Sequence, residues 1–252
     1  MIRLLIPLLL CAGMVRADES IVSGLSQNRV SITADFDGSE ILIYGAVKRE
    51  TPPPGGPPLE VIITVEGPAT PVVVRRKDRV AGIWLNNAEV RVDSAPSFYA
   101  VATTGPLQHI LSDTENLRHK ITIERVIRAV GITDEASQAG AFVLALLRVR
   151  TDENRYRVLE GKVELTEDTL FRTDVVLPAN LTEGEYKVRL FLLRAGKVVA
   201  QQERVIGVRK EGLERLIFTM AKEQPLLYGL LSLFFAAVAG WGASAAFRLI
   251  RI

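Results

Sequence analysis

This sequence predicts a mainly β protein followed by one C-terminal transmembrane helix, and three observations lead there. Short runs alternate apolar and polar residues, as in Val30-Ser31-Ile32-Thr33-Ala34-Asp35-Phe36, and a period of two puts successive side chains on opposite faces of a half-buried strand. Turn dipeptides such as Asp37-Gly38, Gly67-Pro68 and Asn86-Asn87 separate these runs. Near the C-terminus, Pro225 to Phe247 carries no charge, and Arg248 and Arg251 follow at once. At ~1.5 Å rise per residue a helix over those residues is roughly 34 Å long, enough to cross a hydrocarbon core of ~30 Å. Six to eight short strands with regular turn signals suggest an immunoglobulin-like antiparallel sandwich, here with two inserted helices.

Taken in order, residues 1–17 read as a signal peptide. Arg3 gives a positive start, Leu4 to Gly13 an apolar stretch too short to span, and Val15-Arg16-Ala17 small residues around a cut after Ala17. The alternatives are an uncleaved anchor and a lipoprotein using Cys11, against which Leu10 stands where a small residue is wanted. Cleavage removes the single cysteine, leaving no thiol for disulfide or thiolate chemistry. It also removes two of 31 basic residues, Arg3 and Arg16, leaving 29 against 29 acidic ones. That neutrality argues against nucleic acid and against a polybasic lipid-binding surface.

Residues 18–105 form an N-terminal β-sandwich region. Glu40 to Val47 is apolar on both faces, which marks a central strand. Thr51 to Pro58 (TPPPGGPP) is an exposed loop or a polyproline ligand, because proline cannot donate to a ladder. Leu59 to Val65, Val72 to Lys77 and Phe98 to Thr103 are further strands, and Asn86-Asn87 turns a hairpin between Val80–Leu85 and Ala88–Val92. The period then switches over residues 106–150. Leu117, Ile121, Ile127 and Val130 fall near helical spacing in Asp113 to Val130, and Ala139, Phe142, Val143, Leu146 and Leu147 do so in Glu135 to Arg148, started by Thr133-Asp134-Glu135. Strands return in residues 151–208: Arg157 to Leu165, Leu170 to Leu177, Tyr186 to Leu193 and Lys197 to Val208, with Arg194-Ala195-Gly196 as the last turn. They complete the first sandwich or form a second. Residues 209–223, with Leu213, Leu216, Ile217 and Met220 on one face, read as a juxtamembrane amphipathic helix. The transmembrane helix (225–247) and a short tail (248–252) follow, and Arg248 and Arg251 favour a cytoplasmic C-terminus.

Chemistry-bearing motifs are sparse. His109 and His119 lack metal-ligand spacing, and no nucleophile elbow, Walker loop or dinucleotide fingerprint occurs. Asp113, Glu115, Asp134 and Glu135 sit where helices begin and suit the dipole there. No catalytic residue, metal or cofactor is therefore expected. Arg75, Arg76, Lys77 and Arg79 form the best anion-binding cluster, since guanidinium forks grip oxyanions; a solvated turn between strands is the plainer reading. Trp84 and Tyr99 cover an edge or fill the core, and the core is the plainer reading. In the span, Ser232, Ala236, Gly240 and Ser244 recur every fourth residue, a small-residue stripe that lets a second helix approach closely.

Several segments together resemble a known family. Leu170-Phe171-Arg172, Leu177-Pro178-Ala179-Asn180 and Gly184-Glu185-Tyr186-Lys187-Val188, with Phe98-Tyr99, Gly82-Ile83-Trp84, Pro225-Leu226-Leu227-Tyr228-Gly229 and Ala239-Gly240-Trp241, look like the signature of an alphaproteobacterial family of transmembrane proteins of unknown function. The resemblance implies genetic company with permeases of the sulfite-exporter type and no catalytic residue. The resulting expectation is a non-enzymatic, single-pass inner-membrane protein with a periplasmic β-rich domain, an accessory or interaction subunit of a membrane transporter. Its partners would be the lipid bilayer and an integral membrane protein, a sulfite-exporter-type permease or a second copy, and not nucleic acid. The alternative is a periplasmic anion-binding or sensing module.

Overall fold

The computed structural model describes residues 19–33, 36–49, 56–128, 136–210, 217 and 220–250. The expected signal peptide, residues 51–55 of the proline loop, the Thr133-Asp134-Glu135 helix start, most of the juxtamembrane helix and residues 251–252 lie outside them.

Two kinds of strand in the sequence become two kinds of sheet. Strand β10 (Leu170–Pro178) alternates buried and exposed residues along its length. It belongs to a four-stranded sheet with order β1-β3-β10-β9, where β1 is Ser20–Leu25, β3 is Gly38–Lys48 and β9 is Glu164–Thr166. Strand β4 (Leu59–Glu66) is instead a nearly continuous apolar run, buried at almost every position. It lies in a six-stranded sheet ordered β2-β12-β11-β4-β7-β8, made of Arg29–Ile32, Lys197–Lys210, Gly184–Arg194, β4, Tyr99–Thr103 and Tyr156–Leu159. A sheet covered on both faces needs such runs.

The main core lies between the sheets, where Ile41, Ile43, Phe171 and Val175 meet Val61, Ile63, Val188 and Leu190. The opposite faces of β4, β7 and β11 carry Ile62, Tyr99, Val101, Phe191 and Leu193, which join a second core. Its other side comes from the segment between β7 and β8, through Ile110, Ile121, Ile123, Ile127 and Leu146, and from Val92 and Ala95 of the hairpin β5–β6 (Ala69–Val80 and Ile83–Pro96). Each such buried aliphatic side chain contributes about 1.5–3 kcal/mol relative to exposure.

The C-terminal strands complete the first sandwich. β10 pairs with β3 from Leu170↔Ala46 to Pro178↔Gly38, and β11 pairs with β4 from Lys187↔Glu66 to Arg194↔Leu59. Two pairs depart from an all-antiparallel plan: β12 with β2 and β7 with β8 are parallel. Parallel neighbours require a crossover, and the helical insertion is the crossover from β7 to β8. Among the described residues it comprises four helices rather than two: α1 (Leu107–Ile110), α2 (Asp113–His119), α3 (Ile123–Val126) and α4 (Ala136–Asp152). The expected helix from Asp113 to Val130 breaks at Lys120, whose φ of 50° places it in the left-handed region as the cap of α2. Leu117, expected on the apolar face, is 62% exposed, and the residue that α2 buries is Glu115.

Other expectations change too. Asn86-Asn87 does not turn the hairpin; Ala81 and Gly82 do, with φ of 50° and 87°, the two positive values of a type I′ turn. The asparagines sit in β6 at a register shift, where Arg76 pairs with Ala88 and Lys77 with Asn86, so their tolerance of unusual backbone serves a bulge. Arg157 to Leu165 is two strands, β8 and β9, interrupted at Gly161 with φ of 67°. β3 is interior to its sheet, yet Tyr44 on its outer face is 48% exposed. Trp84 is not in the core but 65% exposed on the hairpin, whereas Tyr99 is buried. Of residues 209–223, 209–210 belong to β12, and 217 and 220–223 are helical. The last helix, α5, spans Pro225–Ile250 and so runs past the expected end at Phe247.

Candidate functional site

The hairpin β5–β6 carries the predicted cationic cluster, and its root is held by ordinary packing. Val90 and Val92 are buried and Val72 and Val74 half-buried against the second core. Arg75 to Lys77 therefore lie within a strand, not in the turn expected for them. Where β5 passes α4, a groove of about 540 Å³ opens between them. Val72, Val74, Phe142 and Leu146 give it an apolar wall, and Arg75, Arg76, Lys77, Arg148 and Arg150 give it cations. Arg79 is not among the lining residues.

The sequence points to the β5 half of this groove through Arg75-Arg76-Lys77 and not to Arg148 and Arg150. The one local signal was Arg148-Val149-Arg150 closing the last turns of α4.

Ion pairs sort the cations. Arg75 Nε lies 3.0 Å from Glu89 Oε2, Arg76 Nε 3.3 Å from Asp78 Oδ2, and Arg150 Nη1 3.3 Å from Glu153 Oε2. Lys77 and Arg148 have no ion pair among the described residues. These two are the charges on which an oxyanion would draw most.

A second polar cluster is structural. Arg189 donates from Nη1 to the His119 carbonyl at 2.7 Å, and from Nη2 to the Lys120 carbonyl at 3.0 Å and Tyr99 Oη at 3.2 Å. Tyr99 in turn donates to the Ile121 carbonyl at 2.7 Å. This satisfies the carbonyls left over where α2 ends. Burial pushes the Tyr99 hydroxyl up to about 12, so it stays a neutral donor. Tyr156 is likewise raised to about 12 by burial and donates to the Pro96 carbonyl at 2.7 Å. His119 lies 3.3 Å from Glu115 Oε2 with its ring against Phe191, while His109 is exposed; the two are not brought together. Asp113 and Glu115 occupy the first turn of α2, whose cap Ser112 accepts from the Glu115 amide. Among the described residues no group of three His, Cys, Asp or Glu side chains gathers as metal ligands would.

Helix α5 is the other candidate. Its stretch Pro225–Ala245 has mean hydropathy 1.8, long and apolar enough to cross a membrane, and none of that window is buried by the rest of the chain. Ser232, Ala236, Gly240 and Ser244 all lie on it and are all exposed. Ser232 Oγ donates to the Tyr228 carbonyl at 2.9 Å, which satisfies its hydroxyl within the helix. A Cβ built at Gly240 or Gly242 meets nothing within 4 Å.

Comparison with known proteins gives one family. The family described as "Putative transmembrane protein (Alph_Pro_TM)" matches residues 20–249. No curated protein matches. Among solved structures, the sporulation control protein Spo0M from Bacillus subtilis is similar at 10% identity over 83% of this chain, with a TM-score of 0.29. The chain spans 56% of that protein's length.

Proposed function

The chain belongs to this family of transmembrane proteins, and from that premise we propose that it is a non-enzymatic, single-pass inner-membrane protein that serves as an accessory or interaction subunit of a membrane transporter. In this reading the β domain lies in the periplasm and the C-terminus in the cytoplasm. The carrying observation is α5. Its apolar window is left wholly uncovered by the β domain, and its small residues recur at every fourth position from Ser232 to Ser244. An anchor alone needs no such stripe, because small residues help only where another helix packs closely. The partner fitting that stripe is a polytopic protein, for which a sulfite-exporter-type permease is the candidate, or a second copy of this chain.

The test exchanges residues 225–247 for an unrelated apolar anchor and follows co-purification from native membranes. Loss of the partner with the β domain still folded supports the reading; unchanged recovery of the same partner contradicts it. Gly240→Ile refines the result. A Cβ at this position meets nothing within 4 Å, so weaker co-purification at unchanged thermal stability assigns the loss to helix contact.

The groove favours a second reading, a periplasmic anion-binding or sensing module. Lys77 and Arg148 would hold the anion and Phe142 and Leu146 would exclude water beside it. Sulfate should then raise the melting temperature of the full chain, and Lys77→Ala with Arg148→Ala should abolish the rise. Equal stabilisation of both proteins removes this reading.

A further inference from the structure

We propose that the tip of the β5–β6 hairpin is a second membrane contact, seated in the headgroup region of an anionic bilayer. Beyond Arg75 and Glu89 no residue of the hairpin is buried. Its end nevertheless carries Val80, Ile83, Trp84 and Leu85, between 47% and 65% exposed. The register places Val80 opposite Ile83 and Asp78 opposite Leu85, so Val80, Ile83 and Leu85 share one face, while Trp84 stands opposite Arg79 on the other. The tip therefore shows apolar side chains on both faces, with Asp78 and Arg79 beside them. An exposed cluster of this kind marks an interaction site.

Position in the fold says which surface it meets. The hairpin springs from between β4 and β7, where Glu66 pairs with Tyr99. Lys187 pairs with Glu66 and Gly184 with Val208, so the end of β12 lies at the same end of the sheet. From there only residues 211–224 intervene before the transmembrane helix. At ~3.3 Å per residue the twelve residues of β5 form an arm of about 40 Å.

Chemistry selects lipid over protein. Four side chains on a two-stranded ribbon fall short of the ~800 Å² per partner that a stable protein interface buries, whereas interfacial partitioning needs no matched surface. Trp is the residue that favours the bilayer–water boundary. The overall neutrality of the mature chain hides a local imbalance. Arg75, Arg76, Lys77 and Arg79 outnumber Asp78 and Glu89 here, and Lys77 and Arg79 have no ion pair among the described residues. Each such cation strengthens attachment to an anionic surface about fivefold.

The chain has two tryptophans, so Trp241→Phe leaves Trp84 as the sole reporter. The full-length variant is placed in nanodiscs of three parts phosphatidylcholine to one part phosphatidylglycerol. We expect Trp84 emission to be quenched by lipids brominated near the headgroup end of their acyl chains and shielded from iodide. In the same protein carrying Lys77→Glu and Arg79→Glu, or in phosphatidylcholine alone, bromolipid quenching should fall by half or more. Trp84 open to iodide and indifferent to brominated lipid overturns the proposal. So does a buried Trp84 signal without bromolipid quenching, which would mean that the tip meets protein.

Discussion

Replacing Glu19 with glutamine should destabilise the β domain by about 3 kcal/mol, because it removes the carboxylate charge that both guanidiniums of a buried Arg–Glu–Arg cluster bond to directly. Glu19 sits just before β1. Its Oε1 accepts from Arg49 Nε at 2.8 Å and Arg194 Nη2 at 2.9 Å, and its Oε2 accepts from Arg194 Nε at 3.1 Å. Arg49 follows β3 of one sheet and Arg194 ends β11 of the other, so the carboxylate ties the two sheets together at one end. The side chains of Glu19, Arg49 and Arg194 are 4%, 9% and 13% exposed, which leaves little water to replace the lost charge. For a domain of this size, 1 kcal/mol moves the melting temperature by about 2–4 °C, so calorimetry of the full chain should show a fall of about 6–12 °C at neutral pH. The pH dependence has a definite sign. Burial raises the Glu19 carboxyl, but hydrogen bonds and charge from Arg194 and Arg49 outweigh it and hold the group below its ordinary value of 4.5. A lowered folded value means the contribution is present above that ordinary value and is lost as pH falls through the folded one. The gap between parent and Glu19→Gln should stay constant from neutrality down to the ordinary carboxylate range, then close on further acidification. A variant melting with the parent at neutral pH, or a gap that widens in acid, refutes the reasoning.

Two further substitutions probe packing. A Cβ at Gly45 would lie 2.5 Å from Phe171 Cζ and 2.7 Å from the Val22 carbonyl oxygen, while one at Gly140 in α4 meets nothing within 4 Å. Gly45→Ala should therefore cost about 1–3 kcal/mol by overpacking, and Gly140→Ala should gain about 0.5–1 kcal/mol as a helix-interior glycine is removed; denaturant midpoints check both. Arg189→Met should cost about 2 kcal/mol by leaving the His119 and Lys120 carbonyls without a donor. Its signature is faster amide exchange in 113–120 than in β10, and equal exchange in both proteins would contradict the assignment.

The sheet faces were legible in the sequence because period two reports which side chains share a side. Tyr186, Val188, Leu190 and Leu192 share the core face of β11 as their spacing requires. Period says nothing about neighbours, so the parallel pairing of β2 with β12, from opposite ends of the chain, was invisible. Local propensity points to Asn86-Asn87, since asparagine tolerates positive φ better than Ala81 does; strand pairing puts the turn at Ala81-Gly82 instead. Trp84 reads as a core or edge-covering residue, because nothing local marks where a ribbon leaves the core. Half of the groove was legible as Arg75-Arg76-Lys77. The other half arises only when α4 crosses β5, a tertiary meeting that periodicity does not encode. The transmembrane helix was the clearest element, since length and absence of charge suffice to mark it.

Photo-crosslinking within native membranes tests most directly whether α5 packs against another membrane protein. Leu233 lies seven residues from Gly240, nearly in line with it at ~100° per residue, while Val238 lies on the opposite side of the helix. Both are exposed on α5. A benzophenone amino acid at Leu233 should yield one discrete adduct with a polytopic protein or a second copy of this chain, and the same group at Val238 should yield it weakly or not at all. Lipid adducts alone at both positions would contradict the account and leave α5 a simple anchor.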